Sequence, residues 1–257
     1  MAAQLGVLFA KGGVLMSSKS YGMVCPITHA CEILEPRWTM PILTEMWAGN
    51  TRFNDIRRSV GNISTALLSR RLRELETHGL VERREDPVSG QVEYHRTPAA
   101  VDLEPALHAL AEWAQRNIEA RDALRDMDVS TLMWKMRSLI LPEELPHRQV
   151  VIQFHFSDPD LSYDTYWAVI RPGHTVEMCS DIPGFEIDLY VETSKVSLTS
   201  VLLGRSTVSR EVEADRMHLM GDAALSRSMQ DWLSISEYAG RSGIRLLDVS
   251  GSEAVQS

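Results

Sequence analysis

Arginines are concentrated between Arg52 and Arg73, where six of them accompany a single acid, Asp55. This segment therefore carries a net charge of +5, whereas the whole chain carries −9. A guanidinium can hold a phosphate or donate two parallel hydrogen bonds to guanine, so arginines at this density are typical of a surface that binds an anionic polymer. The chemistry that these residue types indicate is recognition of a nucleic acid.

The residues around these arginines predict the elements that position them. A short helix over residues 54–60 is followed by a Gly-Asn turn at 61–62, where a positive φ costs little. Ser64 has the residue type of an N-cap for a second helix, and Gly79 has the type that ends one. The second helix carries an apolar stripe of leucines at positions i, i+4 and i+7, namely Leu68, Leu72 and Leu75.

The opposite face of this second helix is polar, with short side chains near its start and arginines further along. Short side chains let a helix approach the floor of a major groove, where arginines read guanine or hold phosphates. A β-hairpin over 80–84 and 91–96, with a turn at Pro87–Gly90, predicts a wing beside the helix. The predicted DNA contacts are Arg52, Ser64, Thr65, Ser69, Arg70, Arg73, Arg84 and Arg96.

Several short motifs in this region together resemble the HxlR family of winged-helix bacterial transcription regulators. They are Cys25-Pro26, Arg37-Trp38-Thr39, Arg52-Phe53, the run LSRRLRELE at 68–76, GLVER at 79–83 and VEY at 92–94. The resemblance covers roughly residues 25–113 and implies a winged-helix fold, DNA binding and a dimer. The chain departs from the family after the wing, where Arg96-Thr97-Pro98-Ala99-Ala100 replaces a Leu-Thr-x-x-Gly signature.

A long helical pattern follows the hairpin over residues 101–124. Its apolar stripe is too long for a small winged-helix core to cover, so we expect the excess to pack against a second subunit; packing on the C-terminal domain is the alternative. A two-fold dimer would place two recognition helices about one DNA turn apart, roughly 34 Å, on an inverted-repeat operator. The stripe comprises Leu103, Leu107, Leu110, Ala114 and Ile118, with Ala106 and Trp113 at its edges.

Cys25 lies beside Pro26 at the predicted start of a helix. A lone cysteine in such a position is usually structural, but a helix N-terminus can favour the thiolate and so make a cysteine sensitive to oxidants. The resemblance adds that some HxlR-like regulators use a cysteine at the matching Cys-Pro position. Cys25 is therefore a redox candidate.

The pattern changes from residue 127 onward, where 19 acids stand against 11 basic residues. A helix over 129–141 precedes strands over 149–156, 166–170, 175–179 and 186–193, then a helix over 194–203, a strand over 216–220 and a terminal helix capped by Asp222. Four short motifs resemble the sterol carrier protein type two fold: Glu186-Ile187-Asp188-Leu189, Thr193-Ser194, LLGRS at 202–206 and Leu219-Met220-Gly221-Asp222. One departure is Glu213-Ala214-Asp215, where that family commonly has a glycine.

The second resemblance covers about residues 132–232 and implies an apolar tunnel that shelters acyl chains or sterols. Such a tunnel gains about 25 cal/mol per Å² of ligand surface removed from water. The residues predicted to point into it are Trp167, Val169, Met178, Leu189, Val191, Leu202, Met220 and Met229. The alternative is that these side chains simply fill a core.

Length and composition set limits on the remaining functions. A chain of 257 residues with 44% hydrophobic content is long enough for two domains. Three cysteines without CxxC spacing indicate neither a disulfide framework nor a zinc site, and we expect a reducing, cytoplasmic setting without metal or cofactor. The sequence contains no apolar run of about 18 residues, so we expect no membrane span.

The fold class that these patterns predict is α+β: an N-terminal winged helix-turn-helix plus a C-terminal sterol-carrier-like α+β domain. We expect a flexible extension over 1–22, the DNA-binding and dimerisation domain over 23–126, a ligand-sensing domain over 127–249 and a flexible tail over 250–257. The first 16 residues could pass for a weak signal peptide but lack a convincing apolar core, so we interpret them as a flexible extension or as an over-called start with Met16 or Met23 as the true beginning.

Two functions remain open. The first is a homodimeric regulator that binds a double-stranded DNA operator under the control of a hydrophobic effector. The second is a lipid carrier or lipid-modifying protein whose winged helix serves protein interaction, because arginine-rich helices are often solvated and helix-turn-helix geometry also occurs in proteins that do not bind DNA. We expect no enzymatic activity, since the sequence lacks GxSxG, a phosphate loop and a dinucleotide fingerprint.

Overall fold

A computed structural model describes residues 21–119, 127–159, 161–240 and 243–247, together with the backbone of residues 254–255. Nearly all of the predicted N-terminal extension lies outside these residues. So does the predicted flexible tail, apart from Ala254–Val255, which pairs as a strand with Arg245–Leu246. The domain limits given above stay predictions.

The N-terminal part consists of five helices and a hairpin among residues 21–119. The elements are α1 (Pro26–Leu34), α2 (Thr39–Trp47), α3 (Phe53–Val60), α4 (Thr65–Thr77), β1 (Val81–Glu85), β2 (Val92–Arg96) and α5 (Pro98–Asn117). Their core is built around Ile42 and Leu43 of α2, Ile56 of α3 and the leucine stripe of α4. The predicted stripe, Leu68, Leu72 and Leu75, is buried as expected.

Helix α4 ends where the sequence predicts. Gly79 has φ 70°, and its N–H donates to the carbonyl of Glu76 over 3.0 Å. The N–H of Leu80 donates to the carbonyl of Leu75 over 2.9 Å, and both leucines belong to the N-terminal core. This is a Schellman motif, in which a glycine in the left-handed region satisfies the last carbonyls of a helix. It turns the chain directly into β1, so α4 and the wing have a fixed relative orientation.

The segment Arg96–Ala100, where the chain departs from the family signature, leads from β2 into the start of α5. The Thr97 hydroxyl accepts from the N–H of Ala100 and donates to the carbonyl of Gly79 over 2.6 Å. Pro98 occupies the first turn of α5, where its missing N–H costs nothing. Helix α5 therefore begins three residues earlier than the pattern predicts, because the N-cap is Thr97.

The C-terminal part is built on a five-stranded sheet. Its elements are α6 (Val129–Leu139), a 3-10 turn (Pro142–Glu144), β3 (Val150–Phe156), β4 (Thr165–Ile170), β5 (Glu177–Cys179), β6 (Leu189–Thr193), α7 (Lys195–Leu202), α8 (Val208–Glu213), β7 (Met217–Gly221), α9 (Ala223–Arg227), α10 (Met229–Trp232), β8 (Arg245–Leu246) and β9 (Ala254–Val255). The strand order is β5-β4-β3-β6-β7; β3 and β6 run parallel, and the other neighbours are antiparallel. We call residues 127–159, 161–240 and 243–247 the sheet domain.

A second hydrophobic core lies between one face of this sheet and the helices. It contains Ile152 and Phe154 of β3, Met133 and Met136 of α6, and Trp232 of α10. The opposite sheet face carries a small separate cluster of Val151, Trp167 and Val169. The division follows from strand geometry, because successive side chains point to opposite faces.

The position where the sterol-carrier resemblance breaks has an unusual backbone. Asp215 adopts φ 57°, the left-handed conformation that glycine reaches without cost and that aspartate tolerates better than most residues. Its N–H donates to the carbonyl of Val212, which ends α8 ahead of β7. The chain thus retains a glycine-like conformation with an aspartate.

Candidate nucleic-acid interface

The start of α4 is capped by its own sequence. Ser64 lies in extended conformation, and its hydroxyl accepts from the N–H of Leu67 over 3.2 Å. The N-cap prediction is confirmed. The preceding turn is confirmed as well, since Gly61 adopts φ 97° between α3 and Ser64. These two residues set the direction in which α4 leaves the turn.

The polar face of α4 is available to a ligand. Thr65, Arg70 and Arg73 are exposed, and Ser69 is partly exposed, whereas the leucines face the core. The guanidinium of Arg73 has no hydrogen-bond or ion-pair partner among the residues that the structure describes. Short polar groups near the helix start and an unengaged guanidinium one to two turns later form a surface that fits a DNA groove.

Two arginines of α4 are held by one carboxylate. Arg70 donates from Nε to Glu74 over 2.9 Å, and Arg71 also donates to Glu74. Burial opposes ionisation of Glu74, but the hydrogen bonds from Arg70 and Arg71 prevail and lower the pKa of Glu74. Arg71 is mostly buried and also donates to the carbonyl of Arg37 over 3.0 Å, so it ties α4 to the segment before α2.

The wing is less basic than its arginines imply. Residues 81–96 contain three arginines and four acids. Arg84 donates to Glu82 over 2.8 Å, and Arg96 donates to Glu104 of α5 over 3.2 Å. The hydrogen bond from Arg84 lowers the pKa of Glu82, which keeps that carboxylate charged. Both wing arginines would have to exchange these partners to bind phosphates.

The wing tip is ordered by one carboxylate. Asp86 Oδ1 accepts from the N–H of Ser89 over 2.9 Å and from the N–H of Val88 over 2.8 Å. These backbone hydrogen bonds lower the pKa of Asp86. At the wing base, the backbone of Arg52 forms an isolated antiparallel β-bridge with Glu93 of β2, and the N–H of Tyr94 donates to the carbonyl of Thr51 over 2.8 Å. Arg52 therefore lies where the wing joins α3.

The sequence interpretation missed residues outside the winged helix that touch it. Trp134 of α6 donates from Nε1 to the hydroxyl of Ser59 in α3 over 3.1 Å. Lys135 of α6 pairs with Glu45 of α2. The guanidinium of Arg58 lies 4.9 Å from the centre of the Trp134 ring. No local signal reveals these contacts, because the two helices are separated by a predicted domain boundary.

The predicted tunnel residues do not face one interior. Leu189, Val191, Leu202 and Met229 belong to the main core of the sheet domain, and Met178 packs at its edge. Trp167 and Val169 lie on the other sheet face, and Met220 is 58% exposed. The inward orientation is therefore wrong for Trp167, Val169 and Met220, because Ala168, Ile170 and Leu219 take the inner positions of β4 and β7. A ligand role for the remaining five stays a prediction.

Cys25 lies at the N-cap of α1, partly exposed, with a free thiol. Its carbonyl accepts from the Thr28 hydroxyl over 2.7 Å. Within the described part of the chain, no group of three His, Cys, Asp or Glu side chains is arranged to hold a metal ion. None of the helices in the same part of the chain is long and apolar enough to cross a membrane.

Helix α5 divides its surface between the two parts of the chain. Leu107 is buried, and Gln115 donates from Nε2 to the carbonyl of Leu203 in the sheet domain over 3.1 Å. Leu110 and Trp113 are more than half exposed. Part of the predicted stripe thus packs within the chain, and part of it is open.

Comparison with known proteins places the DNA-binding part in a family. Residues 33–122 match the family model described as HxlR-like helix-turn-helix. The chain is 34% identical over 103 residues to the HTH-type transcriptional regulator YtfH of Escherichia coli, a match that covers 40% of this chain and 82% of that protein. It is 36% identical over 100 residues to the regulator YvaP of Bacillus subtilis, covering 37% of this chain and 91% of that protein.

Among solved structures, the reduced form of the transcriptional regulator YodB from B. subtilis is 31% identical, with a TM-score of 0.35, and the match covers 38% of this chain and 97% of that one. The family model and the curated relatives agree with the capped recognition helix and the wing described above. The chain belongs to the HxlR-like helix-turn-helix family of transcriptional regulators.

Proposed function

We propose that this protein is a cytoplasmic transcription regulator that binds an inverted-repeat DNA operator as a homodimer. The observation that carries the proposal is the exposed face of α4, where Thr65 and Arg73 are presented by a capped helix beside a wing. The helix would enter the major groove, and Arg52, Arg84 and Arg96 would bind phosphates at its flanks. The proposal includes no catalysis and no cofactor.

The open part of α5 supports the dimer. Leu110 and Trp113 lie three residues apart on one side of the helix, and both are exposed although they are large and apolar. A second copy of α5 would cover them across a two-fold axis, since a symmetric dimer uses the same surface twice. The two recognition helices would then enter successive major grooves on the same side of the duplex.

We assign effector sensing to the sheet domain. Its core combines methionines of α6 and α10 with the inner faces of β3 and β6, and methionine packs adaptably around apolar guests. An effector changes operator affinity only if it binds the competent and incompetent states differently. Mass spectrometry of small molecules that co-purify with the protein would identify such a ligand; recovery of a lipid without any DNA binding would favour the carrier function.

A direct test is fluorescence anisotropy with the purified full chain and duplexes selected from a random-sequence library. We expect enrichment of an inverted repeat and an affinity that falls steeply with salt, because cations released from phosphates drive binding. A matched duplex with one half-site scrambled serves as control. Equal weak binding to both duplexes at all salt concentrations would contradict the proposal.

A further inference from the structure

Helix α6 belongs to two packing units at once. Its inner face, with Val129, Leu132, Met133 and Met136, is buried in the core of the sheet domain. These positions follow the i, i+3, i+4, i+7 spacing of a single helix face. Its outer face is directed at the helix-turn-helix, so α6 is the element that the two parts of the chain share.

The outer face of α6 contacts the helix-turn-helix at three successive places. Lys135 pairs with Glu45 of α2, and Trp134 donates to Ser59 at the end of α3. Thr131 approaches Gly61 so closely that a Cβ on Gly61 would lie 3.0 Å from the Thr131 hydroxyl. Gly61 opens the turn that leads into the recognition helix, so α6 abuts the segment that sets the direction of α4.

On the helix-turn-helix side of this contact, the polar groups have little access to water. Ser59 and Glu45 are both buried, and the Asn50 amide links them by donating to Ser59 Oγ over 3.2 Å and to the Glu45 carboxylate over 3.4 Å. A buried carboxylate needs its cation, and a buried hydroxyl needs its partner, because unpaired polar groups are costly away from water. Lys135 and Trp134 supply these partners from the sheet domain.

We propose that Trp134 and Lys135 are positioning residues for DNA binding: through Ser59 and Glu45 they hold the turn between α3 and α4 in the orientation that the operator requires. The sheet domain thereby controls the recognition helix without touching DNA. Anything that repacks the sheet-domain core around Met133 and Met136 shifts the same helix, and so changes operator affinity. This inference rests on the proposed function of α4.

The experiment compares Trp134→Phe, Lys135→Met and Ser59→Ala with wild type in the full chain. Trp134→Phe keeps an aromatic ring but removes the N–H donor and part of the indole, whereas Ser59→Ala removes the acceptor of the same hydrogen bond. Lys135→Met removes the cation at similar length. We expect each to weaken binding to the selected operator by about fivefold or more, within the 5- to 150-fold range of site-to-site coupling. Trp134→Phe combined with Ser59→Ala should cost less than the sum of the two single changes, because both remove the same bond.

Ser138→Ala is the matched control, since Ser138 lies on α6, is exposed and donates from its hydroxyl to the carbonyl of Lys135 rather than to the helix-turn-helix. It should leave affinity within about twofold of wild type, well below the coupling range. Urea unfolding of each variant establishes that the chain is folded under assay conditions. If Trp134→Phe does not fold, Ser59→Ala tests the same bond from the other side.

A second readout does not need DNA. Hydrogen exchange of the amides at 59–66 in the free protein should accelerate in Trp134→Phe and Lys135→Met but not in Ser138→Ala. If the wild-type protein binds no operator, the proposed function is overturned. The hydrogen-exchange rates would still report whether α6 holds the turn. Normal operator binding and unchanged exchange in both variants would overturn the positioning role alone.

Discussion

Arg70 donates from Nε to the carboxylate of Glu74 over 2.9 Å, one helical turn further along the recognition helix. The same carboxylate accepts from Arg71, so Glu74 holds two of the guanidinium groups on α4. Arg73 lies outside this group, and its guanidinium is unengaged among the described residues. The arginines of α4 therefore differ in role. Arg71 supports the fold, Arg70 is exposed but paired with Glu74, and Arg73 is exposed and has no partner among the described residues.

Arg73→Ala should weaken operator binding by about 1 to 3 kcal/mol without changing the stability of the fold, because the side chain has no partner to lose among the described residues. Arg70→Ala should weaken binding by about the same amount or less, since Glu74 already neutralises part of its charge. Anisotropy titrations at several salt concentrations measure both. Arg227→Ala, an exposed arginine of α9, serves as control. Wild-type affinity in both α4 variants would mean that another surface binds DNA.

Ser64→Ala should lower the free energy of unfolding by about 1 kcal/mol, because it leaves the N–H of Leu67 without its side-chain acceptor. Urea unfolding followed by circular dichroism measures the difference. Thr65→Ala is the matched control, since Thr65 is the exposed first residue of the same helix. Equal stability of Ser64→Ala and wild type would show that the cap contributes little in this setting.

Glu211 of α8 is fully buried and accepts from the hydroxyls of Ser197 and Ser206 and from two nitrogens of Arg216. Glu211→Gln should cost about 3 kcal/mol of stability near neutral pH, because it removes the buried carboxylate that pairs with the Arg216 guanidinium. Urea unfolding at pH 7 tests this. Glu213→Gln, two residues away and exposed, should change stability little.

The same carboxylate predicts a pH dependence. Burial opposes ionisation of Glu211, but the hydrogen bonds from Arg216, Ser197 and Ser206 prevail and lower the pKa of Glu211 below its ordinary value of 4.5. A lowered pKa in the folded state stabilises the fold above 4.5, and this stabilisation is lost as the pH falls through the folded value. The stability gap between wild type and Glu211→Gln should therefore narrow below pH 4.5. A gap that stays constant from pH 7 to strongly acidic pH would contradict the assignment.

Leu110→Glu and Trp113→Glu should convert the proposed dimer into monomers, because each places a charge on the apolar surface of α5 that a second copy would cover. Light scattering after size-exclusion chromatography measures the mass directly. Val88→Glu at the wing tip, which is 95% exposed, is the matched control for adding a charge at an exposed apolar site. A dimer that survives both α5 changes would place the interface elsewhere.

The elements of the winged helix were predictable because their signals are local. Ser64 and Gly79 mark the two ends of α4, and the leucine spacing identifies its buried face without knowledge of any other part of the chain. The start of α5 was misplaced by three residues, since Thr97 and Pro98 form an N-cap that the apolar periodicity does not include. Periodicity detects the middle of a helix better than its first turn.

The orientation of side chains in the sheet domain was harder to predict. Residues 166–170 are continuously apolar, so nothing in the pattern distinguishes the inner Ala168 from the outer Trp167. The contact of α6 with α3 was also beyond reach, because Trp134 and Ser59 are far apart in sequence and each has an ordinary local role. Pairings of this kind are set by the whole fold rather than by neighbouring residues.

The parallel pairing of β3 with β6 has a consequence for biosynthesis. Residues 150–156 cannot complete their ladder until residues 189–193 have left the ribosome, whereas the winged helix depends on contacts close in sequence. Local contacts form faster than distant ones, and N-terminal units fold first during translation. A nascent chain can thus present its arginine-bearing helix before the sheet that braces it exists, and the finished protein acquires its control over that helix last.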